Sequence, residues 1–542
     1  MFSFLRICLE FILSVHGLFQ KVARRKPYIS IITRSIPGEI FLAFSTLTIS
    51  TILCTISGII LFFLTIYRYV IDKYLRLKHK NDYVGLIHGT DAVWAIEDNS
   101  RGIINGLMII ETDYEPEEFF VRMKKRVCNS LLKSKKFRYV RGKFGGYLYY
   151  LRNRMRDDDV VGKIEIIKNG EELDKDELMI LLSNYCNKKL PYDDCGTNEV
   201  LIGLQSVKWR GNKKCKYQYP VLYRLHHCIG DGISMQQLVM KTLTDGNVTT
   251  VISEILKKDD GGKKKKGDGL WKIFMKIVRL SAHRLAYLEE KEVNFIHGKE
   301  LSGEKHLVCC VEDEPEHLEM IKNIKKNLGE GGFSEVCVSA VAASFSDYFH
   351  QNQKKENIPK IISAAVTVIP PNEKIDINDP KIPTHNRFSL TLVGLQLEKK
   401  ESILDVLKYT RNEFNCIKNA IDVVWNYWQM KHIFGLLPTS TVKSLMDRAD
   451  SSIGFSILPG TNLVTICDGL KVLDFIFWIP NKAIVGLGIS LYTYDDRIQL
   501  GLLADKTVLP KYEDAKMILK GIFSNIENMY IASLEEKKNE MK

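Results

Sequence analysis

Apolar and uncharged residues run unbroken from position 40 to position 67, between Glu39 and Arg68. Coiled as a helix, these 28 residues would reach about 42 Å at ~1.5 Å per residue, enough to cross a ~30 Å hydrocarbon layer with tilt. The pattern predicts a single transmembrane helix over 40–67. A cleaved signal peptide does not fit, because the run is too long and starts too far from Met1. Residues 2–19 are also apolar, but Arg6, Glu10 and His16 interrupt them, which predicts an interfacial helix within a leading segment 1–39. Lys21, Arg24, Arg25, Lys26 and Arg34 precede the span, and Arg68, Lys73, Arg76, Lys78 and Lys80 follow it. The positive-inside rule therefore assigns no orientation.

Beyond the span, short β-branched runs alternate with helical periodicity. Strands are predicted over 221–228, 307–311, 361–369, 389–397 and 483–494. Helices are predicted over 233–243, 318–328, 336–349, 403–417 and 514–529. A mixed α/β fold follows. Residues 257–269 contain only lysine, aspartate and glycine, so they cannot bury a core and predict an exposed connector between two soluble parts, 85–256 and 270–535. After it, Lys272, Lys276, Arg279 and His283 make one basic stripe on a predicted helix over 270–288. That helix either packs between domains or lies on anionic lipid.

Composition narrows the class. The chain has 542 residues, 45% hydrophobic and 26% charged, which excludes disorder, collagen and coiled-coil fibre for the bulk of it. A mean hydropathy of −0.10 with one long apolar stretch excludes a polytopic transporter. The net charge of +12 suits nucleic acid, an anionic membrane or a phosphorylated substrate, without choosing among them. Twelve cysteines with no C-x-x-C spacing suggest reduced, cytosol-facing thiols and no zinc ribbon.

The chemistry concentrates at His226-His227-Cys228-Ile229-Gly230-Asp231-Gly232. Side chains alternate along a strand, so the predicted strand 221–228 sends His226 and His227 to opposite faces, and one imidazole can face a chamber while the other packs. Gly230 and Gly232 flank Asp231 where the backbone turns or approaches a ligand closely. Asp231 either anchors the loop through a basic partner or fixes a histidine tautomer. A neutral histidine can take a proton from a hydroxyl as it attacks a thioester. G-x-S-x-G, P-loop and H-E-x-x-H motifs are absent from the sequence, which demotes a serine hydrolase, an NTPase and a zinc protease.

The H-H-x-x-x-D-G string resembles the signature of the coenzyme A-dependent acyltransferase superfamily. The flanking segments resemble its wax ester synthase/diacylglycerol acyltransferase branch, in order over about residues 85–535. These are Gly89-Thr-Asp-Ala-Val-Trp-Ala95 with Asp91 at the acidic position, Phe333-Ser-Glu-Val-Cys-Val-Ser-Ala-Val-Ala-Ala343, Asn386-Arg-Phe-Ser389, Phe455-Ser-Ile-Leu-Pro-Gly460 and Gly486-Leu-Gly-Ile-Ser-Leu-Tyr492. Ser334-Glu335 stands where the family has Asn-Asp, and His385 stands where it has glycine.

The resemblance implies two chloramphenicol-acetyltransferase-like halves forming a central tunnel behind the transmembrane helix. His227 would be the general base. His226 belongs to the catalytic motif in a structural role, and Asp231 is its anchor. Gly230, Gly232, Asn386 and Ser334 would shape the substrate channel, with Asn386 either an oxyanion donor or a turn residue capping a strand. The implied activity is transfer of a long fatty acyl group from acyl-CoA to a fatty alcohol or diacylglycerol, with no acyl-enzyme. Acyl-CoA is a co-substrate, and no resident cofactor or metal is expected. The expected partners are acyl-CoA, a lipid hydroxyl acceptor and membrane lipid, and not nucleic acid. The expected location is a single-pass membrane protein of the endoplasmic reticulum, or else the plasma membrane, with its catalytic part in the cytosol. The alternative is a membrane-bound acyl-CoA or lipid-binding protein that kept the fold and lost catalysis.

Overall fold

The computed structural model describes residues 36–540, except 246–291, 371–383, 419–421, 448–450 and residues 98, 153, 169, 194, 212, 213, 293 and 330. The expected interfacial helix over 2–19, the connector 257–269 and the helix 270–288 all lie outside the described residues. The chain divides into two compact units, residues 1–67 with 262–292 and residues 68–261 with 293–542.

The apolar run belongs to one helix, Ile36–His79. It continues beyond Tyr67 because the pattern becomes amphipathic there. Arg68, Ile71 and Leu75 are buried at i, i+3 and i+7, while Lys73 and Arg76 face out. Within the described residues, Thr55–Asp82 is long and apolar enough to cross a membrane by length and composition.

The second unit is mixed α/β, built around two six-stranded sheets and a small three-stranded one. The first large sheet runs, in spatial order, Thr465–Ile466, Leu470–Trp478, Ile103–Thr112, Tyr217–His226, Asn198–Gly203 and Val161–Ile164. Ile103–Thr112 is buried at every position, the signature of a strand covered on both faces. Its alternate side chains serve two cores. Leu107 and Ile109 join Leu222 and Trp478, whereas Met108 and Ile110 join Val221 and Tyr223. Leu470–Trp478 reaches this sheet from late in the chain, pairing antiparallel with Phe477 opposite Gly106 and Phe475 opposite Met108.

The second sheet runs Ser389–Gln396, Ile361–Val368, Ile453–Thr461, Leu487–Tyr494, Arg497–Asp505 and Lys305–Val311. Residues of the helices Glu316–Leu328, Phe333–Asn352, Ile403–Lys418 and Tyr512–Glu540 share its core. Small residues permit close packing here. A Cβ on Gly521 would fall 2.6 Å from Ser344 Oγ, and that hydroxyl donates to Ile518 O at 2.7 Å.

Several predicted boundaries move, and the helix expected over 514–529 runs Tyr512–Glu540. The strand expected over 221–228 is Tyr217–His226. It runs through Pro220 because pairing with Asn198–Gly203 ends at Val221, where no amide donor is required. The strand expected over 483–494 begins only at Leu487, because Ala483 takes the left-handed backbone conformation (φ 52°).

Candidate active site

His226 ends its strand, and His227 opens a 3-10 turn, His227–Ile229. The simple alternation expected for the two rings therefore stops between them. His226 is fully buried. Its Nδ1 accepts from the Cys228 N–H at 3.2 Å, and its Nε2 lies 2.7 Å from Arg141 Nη1. A Cβ at Gly102 would fall 2.8 Å from that Nε2, so a side chain there would collide with the ring. Burial, reinforced by the Arg141 charge, pushes His226 well below the usual imidazole range.

His227 opens onto a cavity of about 1150 Å³. Burial pushes its pKa down to about 3, with the Lys482 charge acting in the same direction. The ring is therefore neutral at pH 7. The residue's own carbonyl and the Asn386 side chain act against that burial by favouring the charged ring, and with Nδ1 buried, Nε2 is the nitrogen available to a substrate. Trp94 stacks on the imidazole, with ring centroids 3.9 Å apart and planes 9° apart. Phe388 flanks it at 5.5 Å.

Asp231 caps the helix Gly232–Leu243, accepting the Ser234 N–H at 2.8 Å through Oδ1. Its Oδ2 accepts the Arg387 N–H at 2.6 Å. Both of these partners are main-chain amides, neither a basic side chain nor an imidazole. The carboxylate joins the motif loop to the segment leading into the strand Ser389–Gln396.

Asn386 makes a second cross-link. Its Nδ2 donates to His227 O at 2.8 Å and to Asp91 Oδ1 at 2.7 Å, and its own N–H donates to the same Oδ1 at 2.9 Å. Lys136 neutralises Asp91, with Nζ 2.8 Å from Oδ2. Asn386 is fully buried and both amide hydrogens are engaged, so it supports the His227 main chain and is not placed to donate to an oxyanion.

Of the residues expected at the site, His227, Asp231, Gly232 and Ser334 line the cavity, whereas His226, Gly230 and Asn386 stand behind it. A Cβ on Gly232 would fall 2.9 Å from Leu458 Cδ1, and one on Gly230 would fall 2.4 Å from Met235 Cε. The two glycines therefore accommodate side chains from the following helix and from across the cavity. Cys228 is buried and its thiol is pushed up by burial, which disfavours a thiolate nucleophile.

The sequence reading missed Trp94, Phe388, Lys482 and Glu97. Lys482 also lines the cavity. Its Nζ pairs with Glu97 Oε1 at 2.9 Å, donates to Val93 O at 2.6 Å and lies 4.9 Å from the Trp94 ring centre. Burial lowers its pKa, with Glu97 opposing. Trp94 had one available signal, since it follows Asp91 by three positions on the helix Gly89–Ala95 and shares its face. Lys482 had none. The remaining lining is mostly apolar, including Ile104, Val366, Phe455, Leu458 and Ile479. Among the described residues, no cluster of three or more His, Cys, Asp or Glu could hold a metal ion.

The histidine motif thus lies at the end of a central strand of the first sheet and opens onto a chamber lined in part by the second. The structure is similar to the wax ester synthase/diacylglycerol acyltransferase from Marinobacter aquaeolei VT8, with a TM-score of 0.56 at 12% identity over 83% of this chain and 100% of that one. It is also similar to trichothecene 15-O-acetyltransferase from Fusarium sporotrichioides, with a TM-score of 0.55 at 10% identity over 81% and 94%. The first condensation domain of the calcium-dependent antibiotic synthetase gives a TM-score of 0.51 at 12% identity over 83% and 97%. These likenesses establish the fold. Residues 384–529 match the family model described as the WS/DGAT C-terminal domain. The resemblance to the wax ester synthase/diacylglycerol acyltransferases therefore stands in sequence over that segment and in fold over most of the chain. No curated protein matches the chain. Family match and fold together support an acyltransferase.

Proposed function

We propose that this protein transfers a long-chain fatty acyl group from acyl-CoA to a lipid hydroxyl, that of a fatty alcohol, a diacylglycerol or both, at a membrane. The observation that carries the reading is a neutral His227 opening into a large, mainly apolar cavity. Burying an acyl chain there is favourable by ~0.8 kcal/mol per methylene. At about 1150 Å³ the chamber exceeds the usual small-molecule pocket of roughly 300–1,000 Å³.

In the proposed reaction, His227 Nε2 takes the proton of the acceptor hydroxyl while its oxygen forms a bond to the thioester carbonyl carbon. The resulting oxyanion collapses, the carbon–sulfur bond breaks, and the imidazolium returns the proton to the departing thiolate. The products are an ester and free CoA, with no acyl-enzyme. Nothing in the step needs a resident cofactor. Asp231 and Asn386 hold the main chain of the motif, and Trp94 holds the ring plane. The apolar segment 40–67 supports a membrane location, because both product and acceptor are lipids. A binding protein that has lost catalysis is disfavoured by the intact His227 and its open approach.

The test supplies labelled palmitoyl-CoA to membranes containing the full chain, with hexadecanol, diacylglycerol, monoacylglycerol and sterol in parallel. Labelled wax ester or triacylglycerol is expected. Saturable acyl-CoA binding with no ester from any acceptor would overturn the reading in favour of a binding protein.

A further inference from the structure

The helix Asp422–His432 has an inverted outer face. It buries Val423, Tyr427 and Met430, at i, i+4 and i+7, as an amphipathic helix should. Its exposed side carries Val424, Trp425 and Trp428 where polar residues would be expected. The two indoles are 43% and 44% exposed and stack on each other with centroids 5.1 Å apart. Asn426 ties the helix to the sheet edge by donating to Leu390 O at 3.0 Å. That edge strand adds an exposed Leu392. Val423 and Val424 also line the cavity, with Phe414, Ile417 and Leu390. The exposed apolar face thus borders one wall of the reaction chamber.

The far end of this helix is fastened to the residue where the apolar run stops. Arg68 is the first charged residue after 40–67. Its guanidinium donates to Gly435 O, three positions beyond His432, and to Ile87 O at 3.2 Å, and lies 2.8 Å from His88 Nδ1. Tyr147 braces the same place, its OH donating to Leu436 O at 2.9 Å. Trp428 precedes Gly435 by only seven positions, four of them helical at ~1.5 Å each, so it lies within about 20 Å of the Arg68 contact. Tyr69 and Val70, beside Arg68, are exposed as well. Tryptophan and tyrosine rings favour the level of lipid headgroups.

We propose that the exposed face of Asp422–His432, with Trp425 and Trp428, docks on the bilayer surface and holds the Val423–Val424 wall of the cavity against lipid, so that an apolar acceptor enters there without crossing water. The occupant is the lipid interface, because the patch is fastened at the residue that ends the membrane-length apolar run. The acceptor's route rests on the acyltransferase reading; the docking does not.

The test uses the full chain reconstituted in phosphatidylcholine vesicles with brominated acyl chains, comparing wild type with the Trp425→Ser/Trp428→Ser double variant. Bromolipid should quench the wild-type tryptophan emission, and the double variant should lose at least about half of that quenching. Equal quenching of both proteins would overturn the docking surface, whatever the activity. With hexadecanol in the vesicles, the variant's KM for the alcohol should rise about fivefold or more, while turnover of a water-soluble short alcohol stays unchanged. An unchanged KM for hexadecanol would overturn the entry route. Absence of ester from both proteins would defeat the catalytic reading while the quenching still decides the docking.

Discussion

Trp94 lies flat against His227, ring on ring, with centroids 3.9 Å apart. The groups that favour the charged form of His227 are its own carbonyl and the Asn386 side chain, so no carboxylate steers this imidazole as in a serine-hydrolase triad. Its plane is set by packing between the indole and Phe388. Trp94 is set in turn by Lys482, which reaches its ring from the Glu97 ion pair.

Loss of the stack should therefore act on turnover. Trp94→Leu keeps an apolar filler but removes the flat support, and kcat should fall about 10- to 100-fold through misorientation of the base. Trp94→Phe should retain most of the rate. The KM for acyl-CoA should move little in either case. Steady-state kinetics on both variants, beside their melting temperatures, check this.

Asp231 works through amides. Asp231→Ala removes the cap of Gly232–Leu243 and leaves the Arg387 N–H without its acceptor. A loss of about 1–2 kcal/mol in stability is expected, at the upper end for a lost helix cap. Activity should fall as well, because the motif loop and the segment before Ser389 are no longer joined. Asp231→Asn keeps one acceptor oxygen and should fall between wild type and alanine in urea denaturation.

The pH dependence follows from burial. His227 has a folded pKa of about 3, below the ~6.5 of an unfolded chain. Above about pH 6.5 both states are neutral at this ring and its burial carries no protonation penalty. As pH falls from there toward 3, the unfolded chain gains the proton first and stability is lost. In kinetics, kcat/KM should show no ionisation of this base between pH 5 and 8. His227→Gln should soften the decline of melting temperature below pH 6.5. An acid limb near pH 6.5 that disappears in His227→Gln would contradict a buried neutral base.

The sequence exposed its chemistry where that chemistry is local. His227, Gly230, Asp231 and Gly232 fall within six consecutive positions, so strand, turn and helix start could be read together. The 3-10 turn at His227 could not be foreseen, because it depends on where pairing with Ile103–Thr112 ends, at His226 opposite Ile103. Asn386 shows the opposite limit. Its place beside the motif was anticipated, but a donor role depended on whether its amide hydrogens were free, and Asp91 and the His227 carbonyl take both. Lys482 and the insertion of Leu470–Trp478 into the first sheet join parts of the chain hundreds of residues apart, and neither carries a periodicity that would announce it.

The most direct measurement is the first-turnover rate of ester formation by His227→Ala, with acyl-CoA and acceptor both saturating and acyl-CoA binding measured on the same preparation. A general base predicts a rate about 10²–10⁴-fold below wild type with acyl-CoA affinity nearly unchanged. A variant that binds acyl-CoA normally and still forms ester at the wild-type rate would show that the chemistry resides elsewhere in the chain.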